Sequence, residues 1–117
     1  LRRPKPGKWG TARLTTTGRR SRQERSVMIG YFEEGPTLVT MAMNGWGEGE
    51  PAWWLNLQAE PEAVVEVDGD RLEVRGRAAQ GAERSQLWDR WRQIDKNLDA
   101  YAARRPQETA VVVLEPR

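Results

Sequence analysis

The sequence predicts a single α+β domain that is mainly β, with about six antiparallel strands curled into a small barrel and helices that plug or flank it. Three observations lead to this fold class. The 117 residues suit one domain. The predicted element order is β-β-β-α-β-β-α-β, and short turns join the strands, which disfavours a Rossmann fold. Six Trp and several Val- and Leu-rich runs indicate an ordered core although 31% of the residues are charged.

The N-terminal half of the chain is expected to supply three strands. β-Branched residues predict the first strand, and the turn-forming pair Gly35-Pro36 separates the second from the third. The predicted strands cover residues 12–17, 25–32 and 37–43. An Arg-rich turn over 18–23 joins the first two strands, and a glycine-rich loop over 44–50 follows the third.

The C-terminal half is expected to supply two helices, a shorter helical piece and three strands. Pro51 opens a short helix, and Pro61 ends it near residue 59, because the residue before a proline avoids helical angles. Asp68-Gly69-Asp70 is a hairpin signal. The predicted strands are 63–67, 71–77 and 109–114, and an amphipathic helix over 82–94 precedes a shorter helical piece with Leu98 and Tyr101.

The net charge of +2 conceals two segments of opposite sign. Residues 1–25 hold nine basic groups and one acidic group (+8), whereas residues 26–117 hold ten basic and sixteen acidic groups (−6). This asymmetry indicates a localised anion site. Residues 1–10 are interpreted as a basic arm and residues 11–117 as the domain. The basic side chains of the arm could meet nucleic acid, a polyanionic ligand tail or only solvent; they are Arg2, Arg3, Lys5 and Lys8.

The absence of Cys and His excludes several kinds of chemistry. Disulfide scaffolds, thiol nucleophiles, serine triads and ordinary zinc or haem ligation all need one of these residues. Acid–base work at neutral pH would need a shifted carboxylate, Lys or Tyr, unless an organic cofactor carries the reaction. The sequence has no run of about 18 apolar residues and no signal-peptide pattern, so we expect a cytoplasmic protein.

The first motif that could bind a ligand is the Arg-rich turn. Gly18 permits a tight turn with exposed N–H groups, and guanidinium groups suit a phosphate because they donate two parallel hydrogen bonds. The candidate residues are Thr17, Gly18, Arg19, Arg20, Ser21 and Arg25. A solvated hairpin turn, in which the arginines only aid solubility, is the alternative interpretation.

The second motif combines the glycine-rich loop with the start of the helix that follows it. A helix N-terminus offers free N–H groups, and two Trp rings offer flat faces for a ring system. The candidate residues are Asn44, Gly45, Ala52, Trp53 and Trp54. Adjacent helical residues point about 100° apart. The alternative interpretation is therefore that one Trp belongs to the core and the other is half-buried.

The two motifs together resemble the deazaflavin-dependent nitroreductase family, small oxidoreductases of actinobacteria and related organisms that use coenzyme F-420. The family shows a Thr-Thr-Gly-Arg-(Lys/Arg)-(Ser/Thr)-Gly turn and a Pro-x-Trp-Tyr-x-Asn-Leu-x-Ala-x-Pro helix at matching places. The corresponding segments are Leu14-Thr15-Thr16-Thr17-Gly18-Arg19-Arg20-Ser21 and Pro51-Ala52-Trp53-Trp54-Leu55-Asn56-Leu57-Gln58-Ala59-Glu60-Pro61. The similarity covers roughly residues 9–116.

The resemblance implies a split β-barrel of the flavin-reductase type and a site for the coenzyme. It implies that the Arg turn holds the coenzyme phosphate, that the glycine-rich loop contacts the coenzyme and that the start of the helix lies against the deazaflavin. The residues it assigns are Arg19, Arg20, Arg25, Asn44, Gly45, Ala52 and Trp53. The basic arm would then lie near the oligoglutamate tail of the coenzyme.

The implied activity is hydride transfer from reduced F-420 to an electron-poor acceptor such as a quinone, an activated enone or a nitro compound. One alternative is an FMN-dependent split-barrel reductase, since FMN also carries a phosphate. Another is a protein that binds the coenzyme, a lipid or a quinone without turnover. Nucleic acid is not an expected partner. A quinone acceptor could bring the protein near a membrane, and the chain could be a monomer or a homodimer.

The sequence departs from the family pattern at several positions. Arg22 stands where the family usually has Gly, and Glu24 where it often has Pro, so the turn could be reshaped. Members that reduce quinones and nitroimidazoles carry three tyrosines spaced three apart near the C-terminus, and only Tyr101 remains of these here. Tyr101 is therefore the candidate proton donor, with water as the alternative source.

Overall fold

Within residues 8–117, which this computed structural model describes, six antiparallel strands close into a barrel in the order β1-β2-β3-β6-β5-β4. The strands are β1 (Gly10–Thr17), β2 (Glu24–Glu34), β3 (Thr37–Met41), β4 (Glu62–Val67), β5 (Asp70–Ala78) and β6 (Val111–Pro116). The helices are α1 (Ala52–Ala59), α2 (Gly81–Ile94) and α3 (Leu98–Ala102). Pairing of β1 with β4, in which Leu14 lies opposite Val65, closes the cylinder. The predicted fold class is confirmed.

Two apolar cores explain why the sequence alternates in some strands and is continuously apolar in others. Inward-pointing residues such as Leu14, Tyr31 and Val65 fill the barrel, and α1 plugs it with Trp54 and Leu57. A second core lies outside the barrel, where α2 and α3 cover β2, β3 and β6; its residues include Phe32, Val39, Leu87, Trp91 and Leu98. The β6 residues 111–114 are buried on both faces and therefore read as one apolar run.

The observed elements differ from the predicted ones by a few residues at their ends. The prediction for β3 extended to residue 43, but the strand ends at Met41 and the Ala42 carbonyl accepts a hydrogen bond from Arg105. The last strand is shifted from 109–114 to Val111–Pro116, since Thr109 bonds to Arg84 and Arg105 instead of to a strand.

The predicted basic arm lies partly outside the described residues. Arg2, Arg3 and Lys5 belong to that part, and the structure begins with Lys8, which is exposed. Trp9 packs on Gly30 of β2 while about half of its surface stays exposed. β1 begins at Gly10, the last residue that the prediction assigned to the arm. In the described part of the chain, no helix is long and apolar enough to cross a membrane.

Candidate active site

Two adjoining clefts open where the β1–β2 turn, the glycine-rich loop and the start of α1 meet. The Arg cleft, with a volume of about 470 Å³, is lined by Gly18, Arg19, Arg20, Ser21, Arg25 and Ala52 among others. The apolar cleft, of about 500 Å³, is lined by residues that include Met28, Ile29, Met41, Trp46, Trp91 and Ile94. Val27, Asn44, Pro51 and Trp53 line both clefts and therefore form the border between them.

The β1–β2 turn is closed by its own backbone. The N–H of Gly18 donates to the Gln23 carbonyl at 2.7 Å, and the N–H of Arg22 donates to the Gly18 carbonyl at 2.9 Å. A Cβ on Gly18 would lie 2.6 Å from Ser21 Oγ and 3.1 Å from the Gln23 carbonyl oxygen, so a larger residue there would crowd the turn. Arg22 has φ +62°, a left-handed conformation that glycine adopts more readily. This geometry accounts for the glycine that the family usually has at that position.

The arginines of the turn carry charge that the protein does not neutralise. Among residues 8–117, the nearest ion pair of the turn joins Arg22 to Glu60 at 4.0 Å, and no carboxylate pairs with Arg19, Arg20 or Arg25. Arg20 and Arg25 are exposed, and Arg19 is half-buried. Unpaired guanidinium groups around a tight turn match the charge and the hydrogen-bonding geometry of a phosphate group. The donors present at this end of the cleft therefore fit a phosphate-bearing coenzyme.

Asn56 on α1 connects the helix to the Arg turn, and it was not among the predicted site residues. Its side chain is buried, and Oδ1 accepts hydrogen bonds from the Arg19 backbone N–H at 3.1 Å and from Arg19 Nη1 at 2.8 Å. Nδ2 lies 3.5 Å from Thr16 Oγ1. An amide residue between Leu55 and Leu57, in the mainly apolar part of a short helix, was the available signal, because a buried amide needs partners.

The glycine-rich loop contains three consecutive residues in the left-handed region. Asn44, Gly45 and Trp46 have φ values of +48°, +61° and +64°. Such angles cost roughly 1–2 kcal/mol for each residue other than glycine. The Asn44 side chain stabilises the turn by donating to the Glu48 carbonyl at 2.7 Å.

The two tryptophans at the start of α1 have different environments. Trp54 is buried in the barrel core and lines neither cleft, whereas Trp53 is half-buried at the border between the clefts. Their rings meet edge to face, with centroids 6.4 Å apart. Ala52 is exposed to the Arg cleft. Backbone N–H groups in the first turn of a helix have no partner within the helix, so those of Ala52 and Trp53 can meet a ligand.

Two other candidate residues lie away from the clefts. Thr17 is half-buried and borders a separate polar depression that Glu60 and Glu62 also line. The ring of Tyr101 on α3 packs against Trp46, with ring centroids 6.1 Å apart. The guanidinium of Arg104 lies over the Tyr101 ring, 5.2 Å from its centroid. Tyr101 itself lines neither the Arg cleft nor the apolar cleft.

Arg105 is a second residue that the sequence did not reveal. Its side chain is completely buried and donates to carbonyls on both sides of the left-handed turn. No pattern distinguished it, since it follows Arg104 in a short irregular segment and helical or strand periodicity does not extend there.

Sequence comparisons with known proteins identify one family. A family model described as F420H(2)-dependent quinone reductase matches residues 6–116. The F420H(2)-dependent quinone reductase Rv1261c of Mycobacterium tuberculosis is 28% identical over 115 residues, which cover 96% of this chain and 77% of that protein.

Two solved structures match the fold over nearly the whole chain. The F420-H2 dependent reductase FDR-A superposes with a TM-score of 0.82 at 25% identity, over 98% of this chain and 96% of its own. A structure described as a domain-swapped dimer has a TM-score of 0.83 at 25% identity, over 98% of this chain and 82% of its own. The predicted enzyme class, an oxidoreductase with deazaflavin F-420 as its coenzyme, is confirmed by these matches. The chain belongs to the F420H(2)-dependent quinone reductase family.

Proposed function

We propose that this chain reduces a quinone with reduced F-420, with the coenzyme in the Arg cleft and the quinone in the apolar cleft. The observation that carries the proposal is the shared border of Val27, Asn44, Pro51 and Trp53. A coenzyme whose phosphate lies on the Arg turn would bring its ring to this border. An acceptor in the second cleft would then lie directly against the ring, as hydride transfer requires.

In this proposal the phosphate end of the coenzyme is bound by Arg19, Arg20 and Arg25, with Ser21 as a further donor. Arg19 is held in place by Asn56, so its guanidinium loses less freedom on binding than an unrestrained side chain would. Arg20 and Arg25 are exposed and free of carboxylate partners among the described residues, so their charge is available to the phosphate.

The ring end of the coenzyme is assigned to the border residues. Asn44 and Gly45 belong to the left-handed turn, and Ala52 and Trp53, the first residues of α1, line the Arg cleft beside it. When bound, the reduced deazaflavin supplies a hydride, which together with one proton converts a quinone to its hydroquinone. The task of the protein is to position both molecules and to keep water from the border, for which the half-buried Trp53 ring is suited.

The lining of the apolar cleft supports a flat, apolar acceptor. Met28, Met41, Trp46 and Trp91 present thioether and aromatic surface, and among the described residues that line the cleft only Asp95 is charged. A quinone ring fits this chemistry, and activated enones and nitro compounds are secondary acceptors in the proposal. Exposed Trp9, Met28 and Met43 surround the mouth of the cleft, which supports entry of an apolar acceptor there, including one delivered from a membrane surface.

A coenzyme titration tests the proposal. We expect oxidised F-420 to quench Trp fluorescence. Arg19→Ala and Arg20→Ala should each weaken binding by about tenfold or more, since loss of a charge-assisted hydrogen bond costs about 1.5–3 kcal/mol. Arg75→Ala is the matched control, because Arg75 is an exposed arginine on β5 outside both clefts. Unchanged affinity for F-420 in both turn variants would refute the assignment of the phosphate site to the Arg turn.

Two further measurements separate the alternatives. Titration with FMN in place of F-420 distinguishes the FMN-dependent reductase, which would bind FMN more tightly. Single-turnover oxidation of reduced F-420 by menadione distinguishes an enzyme from a carrier. Oxidation no faster than without protein would show that the chain binds the coenzyme without turnover.

A further inference from the structure

Arg105 is the most completely buried charged side chain near the clefts. Its exposed fraction is 0%, and all three guanidinium nitrogens donate hydrogen bonds. Nε donates to Gly47 O at 3.0 Å, Nη1 to Ala42 O at 2.8 Å and to Thr109 Oγ1 at 2.7 Å, and Nη2 to Gly49 O at 2.7 Å and to Glu50 Oε1 at 2.8 Å. One side chain therefore joins five groups that belong to two separate segments of the chain.

These hydrogen bonds fix the backbone on both sides of the left-handed turn. Ala42 precedes Asn44, Gly45 and Trp46, and Gly47 and Gly49 follow them. Backbone in the left-handed region persists where the surrounding structure fixes it from several sides. The planar guanidinium supplies such a restraint, because its donors have a fixed relative geometry.

The ion pair of Arg105 is better explained by the positioning of the loop than by a gain in stability. Glu50 is its carboxylate partner, and it lies immediately before Pro51 at the start of α1. Burying an ion pair costs desolvation energy that the mutual attraction often only offsets, so such a pair is poor evidence for stability alone. A buried arginine that reaches three loop carbonyls is suited instead to specify one conformation of the loop.

The restrained turn forms the wall of both clefts. Asn44 lines the Arg cleft and the apolar cleft, and Gly45 and Trp46 line the apolar cleft. We propose that Arg105 is a positioning residue: with Glu50 it fixes the left-handed turn and thereby sets the fit of coenzyme and acceptor at the border of the clefts. This inference rests on the proposed function for the identity of the ligands, whereas the restraint of the loop stands on the hydrogen bonds alone.

The test compares variants of Arg105 with a matched arginine. Arg105→Lys keeps the charge but has a single ammonium that cannot span the three carbonyls, and Arg105→Met removes the charge. Arg84→Met is the control, since Arg84 is a partly buried arginine that donates to the Thr109 carbonyl at 2.7 Å and pairs with Glu108, outside the loop. Glu50→Gln is the milder variant if Arg105→Met does not fold.

Hydrogen exchange of residues 44–50 in the ligand-free protein is the first readout. We expect exchange about tenfold or more faster in Arg105→Lys and Glu50→Gln, and no such local change in Arg84→Met. The second readout is kinetic: KM for menadione should rise more than kcat falls, because the wall of the cleft is displaced while the Arg turn and Asn56 remain.

The outcomes discriminate between failure of this inference and failure of the proposed function. Unchanged exchange at residues 44–50, or the same change as in Arg84→Met, would overturn the positioning role whatever the activity. Faster local exchange in a protein that binds no F-420 would leave the restraint of the loop in place and refute the proposed function instead.

Discussion

Asn56 accepts two hydrogen bonds from Arg19, one from its backbone N–H at 3.1 Å and one from its Nη1 at 2.8 Å. One amide oxygen thus joins α1 to the β1–β2 turn across 37 residues of sequence. Ala52, at the start of the same helix, lines the Arg cleft with Arg19. The Arg turn and the start of α1 are therefore held in a fixed relation before any coenzyme binds, and preorganisation of this kind raises affinity.

We predict that Asn56→Leu weakens F-420 binding about tenfold and lowers the free energy of unfolding by about 1–3 kcal/mol. The variant keeps the approximate volume but leaves the two Arg19 donors without their acceptor. Fluorescence titration and urea unfolding measure the two effects. Gln58→Leu on the exposed side of α1 is the control. Equal coenzyme affinity in the two variants would show that Asn56 does not organise the site.

Gly76→Ala is predicted to destabilise the fold through α1. A Cβ at this position of β5 would overlap Leu57 Cδ2 and lie 2.8 Å from its Cγ, so the buried Leu57 side chain, or the helix that carries it, would have to move. Overpacking of this kind costs about 1–3 kcal/mol. Gly47→Ala is the control, because the nearest atom to its added Cβ is Asn44 O at 3.4 Å.

The contact with Leu57 can be tested by a double-mutant cycle. In a Leu57→Ala background the shortened side chain leaves room, so Gly76→Ala should cost less than in the wild-type chain. Denaturant unfolding of the four proteins gives the coupling. Strictly additive costs would indicate that the glycine is required for another reason, such as its pairing opposite Leu114 in the sheet.

Arg22→Gly is predicted to stabilise the protein by about 1 kcal/mol. The residue is held at φ +62°, which is unfavourable for a residue with a Cβ, and its only ion pair in the described structure is the 4.0 Å contact with Glu60. Thermal unfolding of the ligand-free protein measures the gain. Arg22→Ala removes the same side chain and keeps the strain, so it should show no gain. Equal stabilisation by both variants would assign the effect to charge rather than to backbone strain.

The fold could be predicted from the sequence because its signals are local. Turn residues, β-branched runs and the helical spacing of Leu87 and Trp91 each depend on neighbours within a few positions, and all these elements are present. The Arg turn and the start of α1 were also identified locally, as motifs.

The partners of these motifs could not be predicted, because they lie far away in sequence. Asn56 reaches back 37 residues to Arg19, and Arg105 reaches 56 residues to Gly49. Only closure of the barrel brings these groups together. The ends of β3 and β6 differ from the prediction for the same reason: the Ala42 carbonyl accepts a hydrogen bond from Arg105, 63 residues away, and the Thr109 carbonyl accepts one from Arg84, 25 residues away.

Tyr101→Phe is predicted to lower kcat by no more than about twofold. Removal of an essential general acid would lower it about 100-fold or more. Tyr101 lies behind Trp46 and lines neither cleft, so we expect the proton for the acceptor to come from water. Tyr101→Ala is the companion variant: it removes the ring that contacts Trp46 and should raise the KM for menadione. A large loss of kcat in Tyr101→Phe alone would identify the hydroxyl as the proton donor.

Glu83→Gln is predicted to change the acid dependence of stability rather than stability at every pH. Arg77 donates to both Glu83 oxygens, at 2.6 and 2.9 Å, and Nε of the same arginine donates to Glu115 at 2.8 Å. Hydrogen bonding by Arg77 lowers the pKa of Glu83 below its ordinary value of 4.5, and the two carboxylates raise the pKa of Arg77. Because the folded-state pKa of Glu83 is lowered, its contribution is complete above the unfolded value and is lost as the pH falls through the folded one.

Urea unfolding of the wild-type chain and of Glu83→Gln between pH 3 and 7 measures this contribution. The variant should be less stable by up to about 1 kcal/mol at pH 6, since both partners are largely solvated, and the difference should shrink below about pH 4.5. Glu108→Gln is the control, because Glu108 is 78% exposed and meets Arg84 through one 3.7 Å contact. A difference that stayed constant down to pH 3 would show that the Glu83 carboxylate is not what stabilises the junction of β5, α2 and β6.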